Sequence, residues 1–269
     1  MTPTAEQQRI SVARVTMGVG LGVLSGALAV VAAPHHGLGW LVLVAGVPML
    51  VAQFHVLPAR LSGVAPALAY GIAAWGTAAV LVADRSKYSE TFIWAAIVGF
   101  GLVAGVAGRV ERALWDAIDY RWWVAAAPLA WGLQAMVRIR LPGAGTDGFI
   151  VHDLFRHPSV LQPVGVVGVV GLEMAIVLVN VVIAALVMSA LRHEGFPRKR
   201  ALRLGGGLAA GLAIWVGWSL ALLDDPPTTV RIAAVQPNLD SGGILFATSG
   251  GEPDLGPYTE LTERAVDDG

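Results

Sequence analysis

Glu173 is the one acidic residue inside a long apolar run, Val169-Val-Gly-Leu-Glu-Met-Ala-Ile-Val-Leu-Val-Asn180. A carboxylate among hydrocarbon is costly, so such a group faces a cavity, a partner or the interface. Two roles stay open for it. It either faces a substrate or is stabilised by the positive N-terminal end of a shortened helix. Arg138, Arg140, His152, Asp153, Arg156 and His157 crowd the loop before that run. Cations there could meet the anionic headgroups of phospholipids, or belong to a plain solvated loop. His152 and His157 are five residues apart, which does not put two imidazoles on one helical face, so no metal site is read there. No Gly-x-Ser-x-Gly or His-Glu-x-x-His segment occurs, and cysteine is absent from all 269 residues. That removes disulfides, thiolate metal sites and a cysteine nucleophile from the chain. A self-sufficient active site is hard to assemble from what remains, and no cofactor is implied.

The elements that must position these groups are membrane helices. Hydrophobic residues make up 55% of the chain and charged residues 14%, against roughly a quarter charged in soluble domains. Mean hydropathy is +0.66. The net charge of −1 leaves no basic footprint for nucleic acid. Runs of about 20 apolar residues suffice to cross the hydrocarbon core, and seven are present. They are Ala13–Ala33, Gly37–Leu57, Ser62–Ala83, Thr91–Ala107, Trp122–Leu141, Leu161–Leu191 and Ala201–Leu223. The predicted fold is thus an all-α polytopic bundle of about seven transmembrane helices over residues 1–223. Arg138 and Arg140 interrupt the fifth run and are expected to snorkel to the interface from its last turn. The sixth is too long for one simple span, so Leu161–Gly171 is expected to lie along or dip into the interface.

Lysine and arginine set the orientation. With the N-terminus inside, inner segments hold Arg9, Arg14, Arg60, Arg109, Arg112, Arg121, Arg192, Arg198, Lys199, Arg200 and Arg203. Outer loops hold Arg85, Lys87, Arg138, Arg140 and Arg156. The excess favours a cytoplasmic N-terminus, and seven spans then place the segment after Leu223 outside, in a protein of the inner or plasma membrane. The stripes Gly18-x-x-x-Gly22-x-x-x-Gly26, Gly101-x-x-x-Gly105 and Gly207-x-x-x-Gly211 make flat helix faces. Packing within the bundle is their expected role, and a dimer interface is the alternative. Trp40, Trp94, Trp122, Trp123 and Trp218 suit interfacial belts. Arg109–Arg121 reads as a short amphipathic helix on the cytoplasmic surface.

After Leu223 the pattern changes. Val230-Arg-Ile-Ala-Ala-Val235 reads as a strand that ends in a Gln-Pro-Asn turn, and Pro257–Val266 as a following helix. The strand and turn resemble the opening of nitrilase (carbon–nitrogen hydrolase) domains. A nitrilase-like domain attached outside after a seven-helix membrane region resembles the apolipoprotein N-acyltransferase family. Leu161-Gln162, Gly168-Val-Val-Gly171, Glu173 and Asn180 are similar to that family's pattern of Leu-Gln, paired glycines and terminal asparagine. By residues the resemblance covers about 161–180 and 230–238. The family's aromatic segment before the sixth span appears here only as Gly148-Phe-Ile-Val.

The resemblance implies a membrane domain (1–223) followed by the start of an incomplete α/β nitrilase-like domain (224–269). It also implies transfer of an acyl chain from a phospholipid donor to the N-terminal diacylglyceryl-cysteine of an apolipoprotein acceptor. The family uses a Glu-Lys-Cys triad and a thioester, chemistry that needs a thiolate, a base and a cation for the oxyanion. None of that triad is assigned here. Its members are expected beyond Gly269, so the chain reads as the N-terminal part of such an enzyme and is expected to be inactive alone. Arg138, Arg140, Gln162 and Glu173 are the residues expected to meet lipid or substrate. Two alternatives are a membrane-bound nitrilase-type amidohydrolase and a non-enzymatic seven-helix transporter or scaffold.

Overall fold

The computed structural model describes residues 12–33, 36–82, 90–118, 120–140, 150–154, 156–191 and 197–222. Helix α1 (Val12–Ala32) is followed by a 3₁₀ turn (Gly39–Leu41), α2 (Val42–Ala45), α3 (Val47–Val51) and a π-helical turn (Ala52–Val56). Then come α4 (Val64–Val82), α5 (Glu90–Ile118), α6 (Tyr120–Arg140), α7 (Pro158–Leu161), α8 (Val164–Ala190) and α9 (Arg198–Ala221). No strand occurs among the described residues. Four stretches are long and apolar enough to cross a membrane: Val12–Ala32, Gly39–Val56, Val164–Ala190 and Arg198–Ala221. Trp123–Val137 is a shorter apolar helix. The described chain is a helical bundle of membrane character. The expected strand at Val230–Val235 and helix at Pro257–Val266 lie outside the described residues.

Two helices depart from the simplest reading of the hydropathy pattern. The amphipathic stretch from Arg109 is no separate surface helix, because α5 runs unbroken to Ile118. Its Val-Glu-Arg-Ala-Leu sequence holds good helix formers and no breaker, and Glu111 and Arg112 find partners inside the bundle. Conversely, α8 is interrupted at Gly168, whose φ of 71° and ψ of 171° leave the helical region. That combination is essentially restricted to glycine. The overlong sixth run therefore resolves into a short turn before Gly168 and a membrane-length helix after it.

Helix α8 is the hub, packing against α2, α3, α6 and α9. One cluster, with Leu50, Phe54, Trp115, Trp123, Val181 and Met188, fills the bundle near the start of α1. A second, with Ala32, Val42, Ala135, Leu154, Leu172 and Ile176, fills it near the end of α1. In lipid, helix association depends on close packing rather than on escape from water, and the glycines supply it. A Cβ on Gly22 would lie 2.9 Å from the Cα of Ala65, and one on Gly26 3.0 Å from the carbonyl of Ala69. A Cβ on Gly101 would lie 3.0 Å from the carbonyl of Ala67. The first two glycine stripes are thus seams inside the bundle. The third is different, since Cβ atoms on Gly207 and Gly211 would meet nothing within 4 Å.

Candidate functional site

Glu173 is 1% exposed, in the second turn after the break at Gly168. This position is too far along to be held by the helix N-terminus, whose field fades within the first turn. Two N–H groups do that work instead. The backbone N–H of Val151 donates to Oε1 at 2.7 Å, and the indole N–H of Trp131 donates to Oε2 at 2.8 Å. Charge-assisted bonds of this length are the strong kind. Trp131 comes from α6 and Val151 from the 3₁₀ turn Ile150–Leu154, so one carboxylate ties three chain segments together. Each of its oxygens already accepts a proton donor, which makes Glu173 an anchor rather than a ready general base.

The turn that Glu173 holds is also wedged from the other side. A Cβ on Gly39 would collide with the carbonyl of Asp153, so only glycine lets the Gly39–Leu41 turn approach so closely. Burial, with the Glu173 carboxylate adding to it, pushes the Asp153 carboxyl up to about 7. Beyond the turn, the ring of His157 lies 5.9 Å from that of Trp40. His157 precedes α7, and the indole N–H of Trp215 on α9 donates to the Val160 carbonyl of α7 at 2.8 Å. The segment from Ile150 to Leu161 is thereby attached to α6, α8, α9 and the Gly39 turn.

Of the residues expected to meet lipid or substrate, Glu173 is buried at the centre of this arrangement. Gln162 is half-buried and closes α7. Arg140 is exposed at the end of α6. The backbone of Arg138 is helical, but its side chain lies outside what is described. His152 and Arg156 are exposed on the clamped segment. Among the described residues no group of three histidine, aspartate or glutamate side chains could hold a metal ion.

Asn180 completes a second polar joint two turns further along α8. Its side-chain N–H₂ donates to the carbonyls of Val42 and Ile176, both at 2.9 Å, and its carbonyl accepts the Gly46 N–H at 2.8 Å. A buried side-chain amide so satisfied fixes α8 against α2 and α3. At the Arg14 end of the bundle stands a third joint, which the sequence reading missed. Glu111 accepts from the indole N–H of Trp123 at 3.0 Å and from the amide of Gln53 at 2.9 Å, and Gln53 also donates to the Gly108 carbonyl at 2.9 Å. Trp123 is therefore a core residue, 2% exposed, and not part of an interfacial belt. It meets Phe54 and Trp115 with ring centroids 4.8 and 4.9 Å away. The signal for Gln53 was present: a lone amide in Val51-Ala-Gln-Phe, judged by the same logic as Glu173.

The site is a polar clamp within an apolar bundle, with groups fit for holding backbone and lacking a nucleophile. No family model, no curated protein and no solved structure matches the chain.

Proposed function

We propose that this chain is the seven-span membrane part of an apolipoprotein N-acyltransferase, with its N-terminus cytoplasmic and the segment after Leu223 outside. In that enzyme it presents phospholipid acyl donor and lipoprotein acceptor to a nitrilase-like catalytic domain that begins near Val230. The observation that supports this most is the run Leu161–Asn180, where the family-like glycines, Glu173 and Asn180 coincide with the helix break, the clamp and the α8 joint. In this reading Glu173 acts as a positioning residue. It holds the Ile150–Leu154 turn, and with it Arg156 and Gln162, at the membrane level where acyl chains would pass. The 269 residues contain no cysteine, so the thiol of the acyl-enzyme is supplied by residues outside them.

The experiment joins a nitrilase-type domain carrying the Glu-Lys-Cys triad after Asn238 of the full chain, in cells unable to N-acylate lipoproteins. Mass spectrometry of a reporter lipoprotein is expected to show the triacylated N-terminus. Only the diacylated form from a membrane-inserted fusion would sink the reading, as would equal acylation when an unrelated helical bundle carries the same domain. Orientation has its own test, because a cysteine-free chain makes any introduced thiol unique. Ser241→Cys should react with an impermeant maleimide in intact cells. Labelling only after the membrane is opened would reverse the topology.

The non-enzymatic alternative draws on one observation, the full engagement of both Glu173 oxygens. A scaffold or transporter of this kind would leave lipoprotein acylation unchanged in the fusion experiment.

A further inference from the structure

Of the four stretches long and apolar enough to cross a membrane, helix α9 is the least covered, with only Ala201 and Ser219 buried. The side carrying Ala201, Gly205 and Ser219 turns toward the bundle, and a Cβ on Gly205 would meet Leu186 of α8 at 3.1 Å. At 3.6 residues per turn, the opposite side carries Lys199, Arg203, Gly206, Gly207, Ala210 and Ile214. All six are exposed. Cβ atoms on Gly206, Gly207 and Gly211 would meet nothing within 4 Å, so a smooth, shallow apolar floor runs directly below two cations.

The cations stand where helix electrostatics opposes them. The N-terminus of a helix carries partial positive charge and unpaired N–H groups, which favour anions and disfavour Lys or Arg. Yet α9 opens Arg198-Lys-Arg200 with Arg203 one turn on, with no acidic residue in its first turn and no side-chain cap. Neither Lys199 nor Arg203 is ion-paired among the described residues. Arginines elsewhere at this end are engaged differently. Arg14 and Arg112 donate to the Val56 and Gln53 carbonyls, both at 3.1 Å, and Arg109 donates to the carbonyl of Arg60. The charges of Lys199 and Arg203 are thus left over after the bundle has satisfied its own backbone.

We infer that the exposed face of α9 holds an anionic phospholipid, its phosphate between Lys199 and Arg203 and an acyl chain along Gly206, Gly207 and Gly211. Charge complementarity selects this occupant. A second copy of the chain, paired about a two-fold axis along the membrane normal, would bring the same cations together. A zwitterionic lipid would bring its own cation to a patch already positive. The phosphate offsets both the side-chain charges and the helix dipole. The glycines let the chain lie against backbone where larger side chains would hold it away. The assignment is independent of any acyl-transfer role.

The test reconstitutes the full chain into nanodiscs of phosphatidylcholine with a minority of phosphatidylglycerol. Lipids that stay with the protein after mild extraction are then quantified by native mass spectrometry. Phosphatidylglycerol is expected to be enriched over its share of the disc, with Arg203→Gln reducing the enrichment about fivefold. Gly207→Leu, which leaves every charge in place, should also reduce it by displacing the acyl chain. Arg60→Gln is the charge-matched control on another exposed arginine and should leave the enrichment unchanged. An equal loss in Arg60→Gln would reduce the effect to general charge attraction and overturn the site. Full competition by soluble glycerophosphoglycerol would overturn the acyl-chain contact. Each variant is first matched to the parent by thermal unfolding and circular dichroism, so that misfolding is not read as lost binding.

Discussion

Two tryptophans of one helix, Trp123 and Trp131 on α6, each donate an indole N–H to a glutamate within the bundle, yet the two joints are built for different ends. At the Arg14 end, Glu111 meets side chains from the π-helical turn and α6, and three aromatic rings pack near it. At the Gly39 end, Glu173 meets the backbone of a short 3₁₀ turn that lies between helices. The first joint closes the bundle upon itself. The second holds a peripheral segment against it, in the part of the chain that carries Arg156, His157 and Gln162. The same indole–carboxylate bond thus serves the joining of helices at one end and the placement of a short turn at the other. Opening of the second joint is therefore expected to disturb the bundle less than opening of the first.

The contrast can be broken most severely at Glu111. Glu111→Ala leaves the Gln53 and Trp123 donors buried without an acceptor and is expected to cost about 3 kcal/mol. The loss should appear as lower global stability in reversible unfolding from mixed micelles. Glu173→Ala also strands two donors, but one of them is a backbone N–H of a short 3₁₀ turn rather than a helix side chain. A smaller loss of about 2 kcal/mol is expected, with faster hydrogen exchange confined largely to 150–154. Equal global losses in the two variants would erase the distinction.

A third, gentler change targets the break that delivers Glu173. Gly168→Ala places a side chain at a φ of 71°, costing about 1 kcal/mol or somewhat more. Space is open there, so the penalty is conformational and should fall on the turn before α8 rather than on the Glu111 joint. Nitroxide distances from residue 166 to the bundle would show whether that turn moves.

A fourth test is electrostatic. Asp153 is raised to about 7 in the folded chain, against about 4 for a free aspartate. Between those values the folded state binds the additional proton, so stability from this group declines as pH rises from about 4 to about 7. Exchange protection of 150–154, corrected for intrinsic rates, should therefore be greater at the acidic end of that window. Asp153→Asn should flatten the dependence. Persistence of the full pH effect in that variant would assign it to another group.

Much of the bundle was legible because lipid imposes simple demands. Long apolar runs marked the four stretches long and apolar enough to cross a membrane, and the sixth run, too long for one simple span, is the one interrupted at Gly168. Glu173 announced itself by the cost of burying charge, although its partners did not. An indole N–H and one backbone N–H come from distant segments, and no periodicity encodes which of nine tryptophans will face a given carboxylate. Gln53 carried the same kind of signal in weaker form, since an uncharged amide stands out less in hydropathy. The continuation of α5 past Arg109 was hidden for a related reason. Charged residues usually mark where a helix leaves the membrane, whereas here Glu111 and Arg112 turn back into the bundle and bond to it.

The π-helical turn at Ala52–Val56 leaves a row of carbonyls facing away from the normal helical pattern, and Arg112 and Arg14 collect those of Gln53, Phe54, His55 and Val56. Under the proposed orientation, these same arginines belong to the charge excess that sets which side of the membrane the loops occupy. Insertion signal and helix-end closure are therefore written in shared residues. Removing them to alter insertion would also strip the carbonyls of that turn of their donors, which under the proposed orientation couples topology to tertiary structure.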